Sequence, residues 1–193
     1  MKVTDLARKV GAYVPRWWCV ALCVATLSAF ADSAAPFYGT GGVLTKDGDY
    51  LVHTFTNANE IETFTVTGSG EVEVLLVGGG GGGGAFGGGG GGGGQVLYLR
   101  EVALGAGEHP ITVGAGGTGG RADGANAGSV LAHATAGGVT CAFELTAAGG
   151  GAGGTLGKGK NGANGGGGGA GGYNKDLVYD GGSSTNGGFG GGK

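Results

Sequence analysis

The chain has 193 residues, of which 55 are glycine and three proline, and a formal net charge of −3. Glycine this abundant but without a three-residue period, and with so little proline, excludes a collagen triple helix. The acidic balance excludes a surface that condenses on nucleic acid or anionic lipid. Residues 1–31 read as a signal peptide: Lys2, Arg8, Lys9 and Arg16 form a basic leader, Trp17 to Phe30 is an apolar run too short to span a bilayer, and Ala29-Phe30-Ala31 is a small-x-small cleavage site. Cleavage after Ala31 removes four of the 11 basic residues and one of the 14 acidic ones, so the remainder is more acidic still. It also removes Cys19 and Cys23, each preceded by a bulky residue unsuited to a lipid-anchor site. Cys141 is then alone, so no internal disulfide staples the fold.

Residues 32–48 read as a short linker. Three segments with period-two alternation follow, Tyr50 to Thr56, Ile61 to Thr67 and Glu71 to Val77, rich in β-branched and aromatic side chains. A fourth strand is expected from Gln95 to Ala103 and a fifth at Pro110 to Gly114, where proline suits a strand start. Ser129 to Thr135 and Val139 to Thr146 are expected to face each other as a hairpin across Ala136-Gly137-Gly138. The pattern predicts an all-β fold, a small β-sandwich of about seven short strands over residues 49–148. Its expected core is Phe55, Phe64, Val66, Val72, Val74, Leu76, Leu97, Leu99, Ile111, Val113, Leu131, Phe143 and Leu145, with Cys141 as a small inward residue. Residues 149–193 are a glycine-rich tail with too few apolar side chains for a core of their own.

The insertion at 78–94, GGGGGGGAFGGGGGGGG, poses the main structural question. Ordering each backbone residue costs ~1–2 kcal/mol, and a glycine tract buries no side chain in return, so one reading is a disordered linker. The other is a pair of extended threefold helices of the polyglycine II type, antiparallel across an Ala85-Phe86 reversal. Each would span ~22–25 Å and be held to its neighbours by N–H···O and Cα–H···O contacts that only Cβ-free backbones permit. At such a tip Phe86 has two readings, a ligand contact or a plug packed on Tyr173, Tyr179 or Phe189.

The order HTFT (His53 to Thr56), FTVTGSGEVEVLLVGGGGGGG (Phe64 to Gly84), a second glycine run, ITVGAGGTGG (Ile111 to Gly120) and AAGGGAGG (Ala147 to Gly154) resembles the glycine-rich domain of phage tail-fibre and adhesin proteins and of many secreted bacterial proteins. The likeness covers roughly residues 49–193. It implies packed polyglycine II helices with receptor-binding loops at their tip, and further glycine runs after Lys193, so the chain is expected to be truncated. A more distant likeness is to the glycine-rich ectodomain region of the anaplastic lymphoma and leukocyte tyrosine kinase receptors, without any kinase domain.

Enzymatic chemistry finds no support. GAGGTG (Gly114 to Gly119) matches a dinucleotide fingerprint that glycine at this density produces by chance, with no helix expected after it. GTLGKGKN (Gly154 to Asn161) approaches a P-loop, but Asn161 stands where Ser or Thr must hold magnesium. His53, His109 and His133 lie on separate segments, and Asp123, Asp176 and Asp180 lack a calcium-repeat pattern. The expectation is a secreted or cell-surface, non-enzymatic binding or adhesion module without cofactor, metal or stable membrane anchor. Its partner would be a surface glycan or protein, with Phe86, Tyr173, Tyr179 and Phe189 as tip contacts; self-association stays open. The competing reading is a structural matrix or envelope protein with no specific ligand, against which the irregular glycine spacing weighs.

Overall fold

The computed structural model describes residues 36–58, 60–123, 130–169, 178–185 and 188–193. The signal peptide and Tyr173 lie outside these residues. Eleven strands form between Tyr38 and Ala147, and no helix is present among the described residues, so the chain is all-β. β1 (Tyr38–Thr40), β4 (Ile61–Thr67), β7 (Gly107–Thr112), β10 (Thr140–Ala142) and β11 (Leu145–Ala147) form one antiparallel sheet in the order β1-β4-β7-β10-β11. The β5–β6 pair (Gly70–Val77 and Val96–Leu104) is the second layer of a sandwich. Its Val74, Leu76 and Leu104 join Phe64, Val66, Ile111, Ala142 and Ala147 in one buried cluster. β2 (Val43–Asp47) and β3 (Tyr50–Thr54) form a separate hairpin, and β8 (Arg121–Ala122) pairs with β9 (Val130–Ala132).

Phe64 is the aromatic centre, meeting His53, Phe55 and Phe143 edge-on at 5.0, 6.1 and 6.0 Å between ring centroids. His53 is half-buried, and its Nδ1–H donates to the Gly41 carbonyl at 2.8 Å, which sets the tautomer and orients the ring for this stack.

Several expectations are corrected. Residues 32–48 are not simply a linker, because β1 completes the main sheet and β2 pairs with β3. The hairpin across residues 136–138 does not form: β9 pairs with β8, while Gly137 and Gly138 bond to other glycine segments. The expected strand Val139 to Thr146 is itself a hairpin, turning at Phe143-Glu144 with φ 52° and 63°. Both turn residues are left-handed, as a two-residue turn matching strand twist requires. That turn reverses the inward alternation, so Thr140 and Ala142 are buried and Cys141 is only half-buried. Leu131 is exposed rather than core, because its short strand pairs outside the sandwich. Leu104 enters the core because β6 carries a bulge: Arg100 and Glu101 together oppose Glu73, with Glu101 at φ 58°.

The glycine segments are extended rods bonded with a repeat of three. Rod A (78–84) runs out of β5 and rod B (88–94) returns towards β6. Gly78, Gly81 and Gly84 donate to Gln95, Gly92 and Gly89 of the returning segment at 2.9, 2.8 and 2.8 Å, an antiparallel register. Gly79 and Gly82 donate to Gly138 and Thr135 of rod D (134–138), while the Gly80 and Gly83 carbonyls accept from Gly117 and Gly120 of rod C (114–120). One neighbour per residue in strict rotation is what a threefold helix does. The tracts are therefore an ordered polyglycine II bundle, and the linker reading fails. None of the rod A glycines has a left-handed φ. Glycine is required there for close approach: a Cβ on Gly79 or Gly82 would sit 2.0 Å from the Ala115 or Thr118 carbonyl oxygen.

The expected boundary at residues 148/149 is not a boundary in space. Rod E (148–154), the start of the tail, lies at the centre of the bundle, and Gly150 to Thr155 are buried. The strand half and rod half meet at Thr140, whose buried hydroxyl donates to the Val77 carbonyl at 2.6 Å and accepts from the Gly114 N–H at 3.0 Å. Thr140→Val keeps the shape but leaves both backbone groups unpaired. It is expected to cost about 2–4 kcal/mol in urea unfolding with an unchanged denaturant slope.

Candidate functional site

The bundle has two unlike ends. At one, rods A and B join β5 and β6; the opposite, distal end carries the reversals. Ala85-Phe86-Gly87 turns rod A into rod B with φ 49° at Phe86 and 60° at Gly87. Thr155-Leu156-Gly157 turns rod E into rod F (159–163) with the same φ of 49° at Leu156. The two reversals are tied together, since the Ala85 N–H donates to Thr155 Oγ1 at 3.0 Å. Gly120, at the end of rod C, fits against both: a Cβ there would lie 2.8 Å from Ala85 N and 2.8 Å from Thr155 Oγ1.

Of the expected tip residues, Phe86 and Tyr179 are at this end. Phe86 is half-buried, and among the described residues its ring stacks on no other aromatic ring, which gives the plug reading no ring partner there. Tyr179 is half-buried; its N–H bonds Gly169 at 3.2 Å, and Gly169 in turn bonds Gly157 of the distal reversal at 2.9 Å. Phe189 is elsewhere. Its carbonyl accepts from Gly165 at 2.9 Å and its N–H donates to Asn164 Oδ1 at 2.7 Å, on the bundle flank nearer the strands, with the ring 84% exposed.

Residues set aside as a chance P-loop likeness line a cavity of about 270 Å³ at the distal end. Its walls are His133 and Ala134 leading into rod D, Gly153 and Thr155 of the central segment, and Leu156, Gly157, Lys158 and Lys160 on the outgoing side. GTLGKGKN thus forms a reversal and a rod rather than a loop feeding a helix. Lys158 and Lys160 are exposed and have no ion-pair partner among the described residues; the nearby Asp180 carboxylate is held by Lys193 at 3.2 Å. The sequence did carry a signal for this site. AFG and TLG are the same device, an apolar residue before glycine that interrupts two glycine runs.

The rods, the reversals and most of the sandwich lie within residues 56–193, which match the glycine-rich domain family. The chain belongs to that family. Among curated proteins and solved structures none matches it. Among the described residues of this glycine-rich domain, no group of His, Cys, Asp and Glu side chains is arranged to hold a metal, and no helix is long and apolar enough to cross a membrane. Its distal end sets apolar side chains at the reversals near the exposed Lys158 and Lys160, on a backbone scaffold fixed by hydrogen bonds.

Proposed function

We propose that the chain is a secreted or surface-exposed, non-enzymatic binding module of the tail-fibre and adhesin kind, contacting a glycan or protein through its distal end. The observation carrying this reading is the tied pair of reversals, which sets the turns bearing Phe86 and Leu156 side by side at one end of the bundle, beyond the strand core and the rod ladder. A bundle of cross-bonded rods suits this work, because it holds a few side chains in fixed relation far from the strand half at no cost of ordering on contact. Export rests on the basic leader, the apolar run and the Ala29-Phe30-Ala31 site. The mature N-terminus is expected at Asp32.

Binding of the purified mature chain to intact cells tests the reading. Phe86→Ala is expected to weaken attachment about tenfold or more, as loss of a buried aromatic anchor does, while backbone amide exchange across residues 78–94 stays unchanged. Faster exchange with unaltered attachment would make Phe86 a pin of the bundle, and no attachment to any cell surface would remove the adhesin reading.

A further inference from the structure

A threefold rod presents three N–H directions and three carbonyl directions, so a rod inside such a bundle has room for six neighbours. Rod E has five. Gly150 and Gly153 donate to rod A; Gly151 and Gly154 donate to Asn164 and Gly167 of rod G (164–169). Its carbonyls accept from rod B and Gln95 at residues 148, 151 and 154, from rod F at 149 and 152, and from rod D at 150. These neighbours also bond one another in sequence around the centre: D to A, A to B, B to G, G to F. Only the F-to-D step is missing among the described residues, and the 270 Å³ cavity lies there, walled by residues on either side of that gap.

The repeat dictates what faces the gap. With two N–H sets directed at rods A and G, the third set, Gly149 and Ala152, points between rods D and F. Neither N–H has a hydrogen-bond partner among the described residues, and Ala152 is only 1% exposed. Buried N–H groups left without an acceptor are rare. Rod D packs against this face at Gly149, where a Cβ would meet the Gly137 oxygen at 2.0 Å. The cavity lies beside the next repeat, along Gly153 and Thr155.

We propose that this cavity beside rod E takes a carboxylate-bearing sugar of an acidic glycan, an inference that rests on the binding-module reading and assigns its ligand class. The lining calls for an acceptor. It offers Lys158, Lys160 and His133, with the Thr155 hydroxyl already accepting from Ala85 and free to donate its own hydrogen. Among the described residues no acidic side chain lines the pocket, in a chain whose net charge is −3. Leu156 supplies an apolar wall for the C–H face of a ring. The volume of about 270 Å³ suits one or two rings rather than a longer segment.

Calorimetric titration of the mature chain with a glucuronate-terminated disaccharide, its glucose-terminated counterpart and an acidic tetrapeptide tests this. The acidic disaccharide is expected to bind at least about tenfold more tightly than either comparison, and the paired variant Lys158→Gln/Lys160→Gln to lose about tenfold or more of that affinity with an unchanged melting temperature. Lys46→Gln, on the β2–β3 hairpin, serves as the charge control and should bind like the parent. Equal binding of the acidic and neutral sugars, preference for the peptide, or full affinity in the double variant would overturn the proposal. Cell attachment by a chain that ignores the acidic disaccharide overturns this inference alone; absence of both removes the module reading with it.

Discussion

Gly82→Ala is expected to destabilise the fold by roughly 2–4 kcal/mol, whereas Gly83→Ala, the next residue of the same run, should stabilise it by about 0.4–1 kcal/mol. The two glycines have the same neighbours in sequence and opposite surroundings in space. A methyl group on Gly82 would lie 2.0 Å from the Thr118 carbonyl oxygen and 2.4 Å from its carbon. Those atoms are backbone and cannot rotate away, so relief requires rod C to shift, stretching its bonds to Gly80 and Gly83. On Gly83 the nearest atom to such a methyl group is the Gly89 oxygen at 3.8 Å, ordinary contact distance on an exposed face. There the substitution acts through the unfolded chain, by removing conformations available only to glycine. Urea unfolding of the two variants beside the parent decides the matter; equal effects would mean that rods A and C do not touch.

Amide exchange in the same run should show a period of three. Gly78, Gly79, Gly81, Gly82 and Gly84 each donate a hydrogen bond to a neighbouring segment; Gly80 and Gly83 do not. In rod B, Gly89 and Gly92 donate to Gly154 and Gly151 of the central rod. The donating amides are expected to exchange at least about a hundredfold more slowly than those of Gly80 and Gly83, since they are released only when rods separate. The experiment needs residue-resolved exchange on an isotopically labelled chain. Random-coil rates throughout residues 78–94 would remove the bundle and return the tract to a linker.

The ladder also explains how so much glycine is ordered at all. Each rod gains no side-chain burial, yet it shares bonds with several neighbours at once, and rod E does so with five. The ordering cost of ~1–2 kcal/mol per residue is offset only in the assembled bundle, by hydrogen bonds and Cα–H···O contacts at van der Waals distance. A single rod detached from the others would be unfolded, so the rods should melt together.

The strands that alternate without interruption, β4 and β5, were legible in the sequence, because period-two burial is a local property of the chain. So was the antiparallel pairing of rods A and B, since two glycine runs of similar length around Ala85-Phe86 have little else to pair with. Rod C carried a further trace of threefold order: Ala115 and Thr118 stand three apart, while Gly114, Gly117 and Gly120 take the face where a Cβ would strike backbone. Parity changes were not legible. The bulge at Arg100-Glu101 and the turn at Phe143-Glu144 put ordinary side chains at positive φ, which no residue type there announces, and each reverses which residues point inward from that place on. The place of the tail could not be read either. Glycine has no side chain with which to specify a neighbour, so which face of each rod meets which partner is set by the register of backbone bonds. That register alone brings rod E to the centre, leaves its sixth side without a bonded rod among the described residues, and sets Lys158 and Lys160 beside His133, 25 or more positions away in sequence.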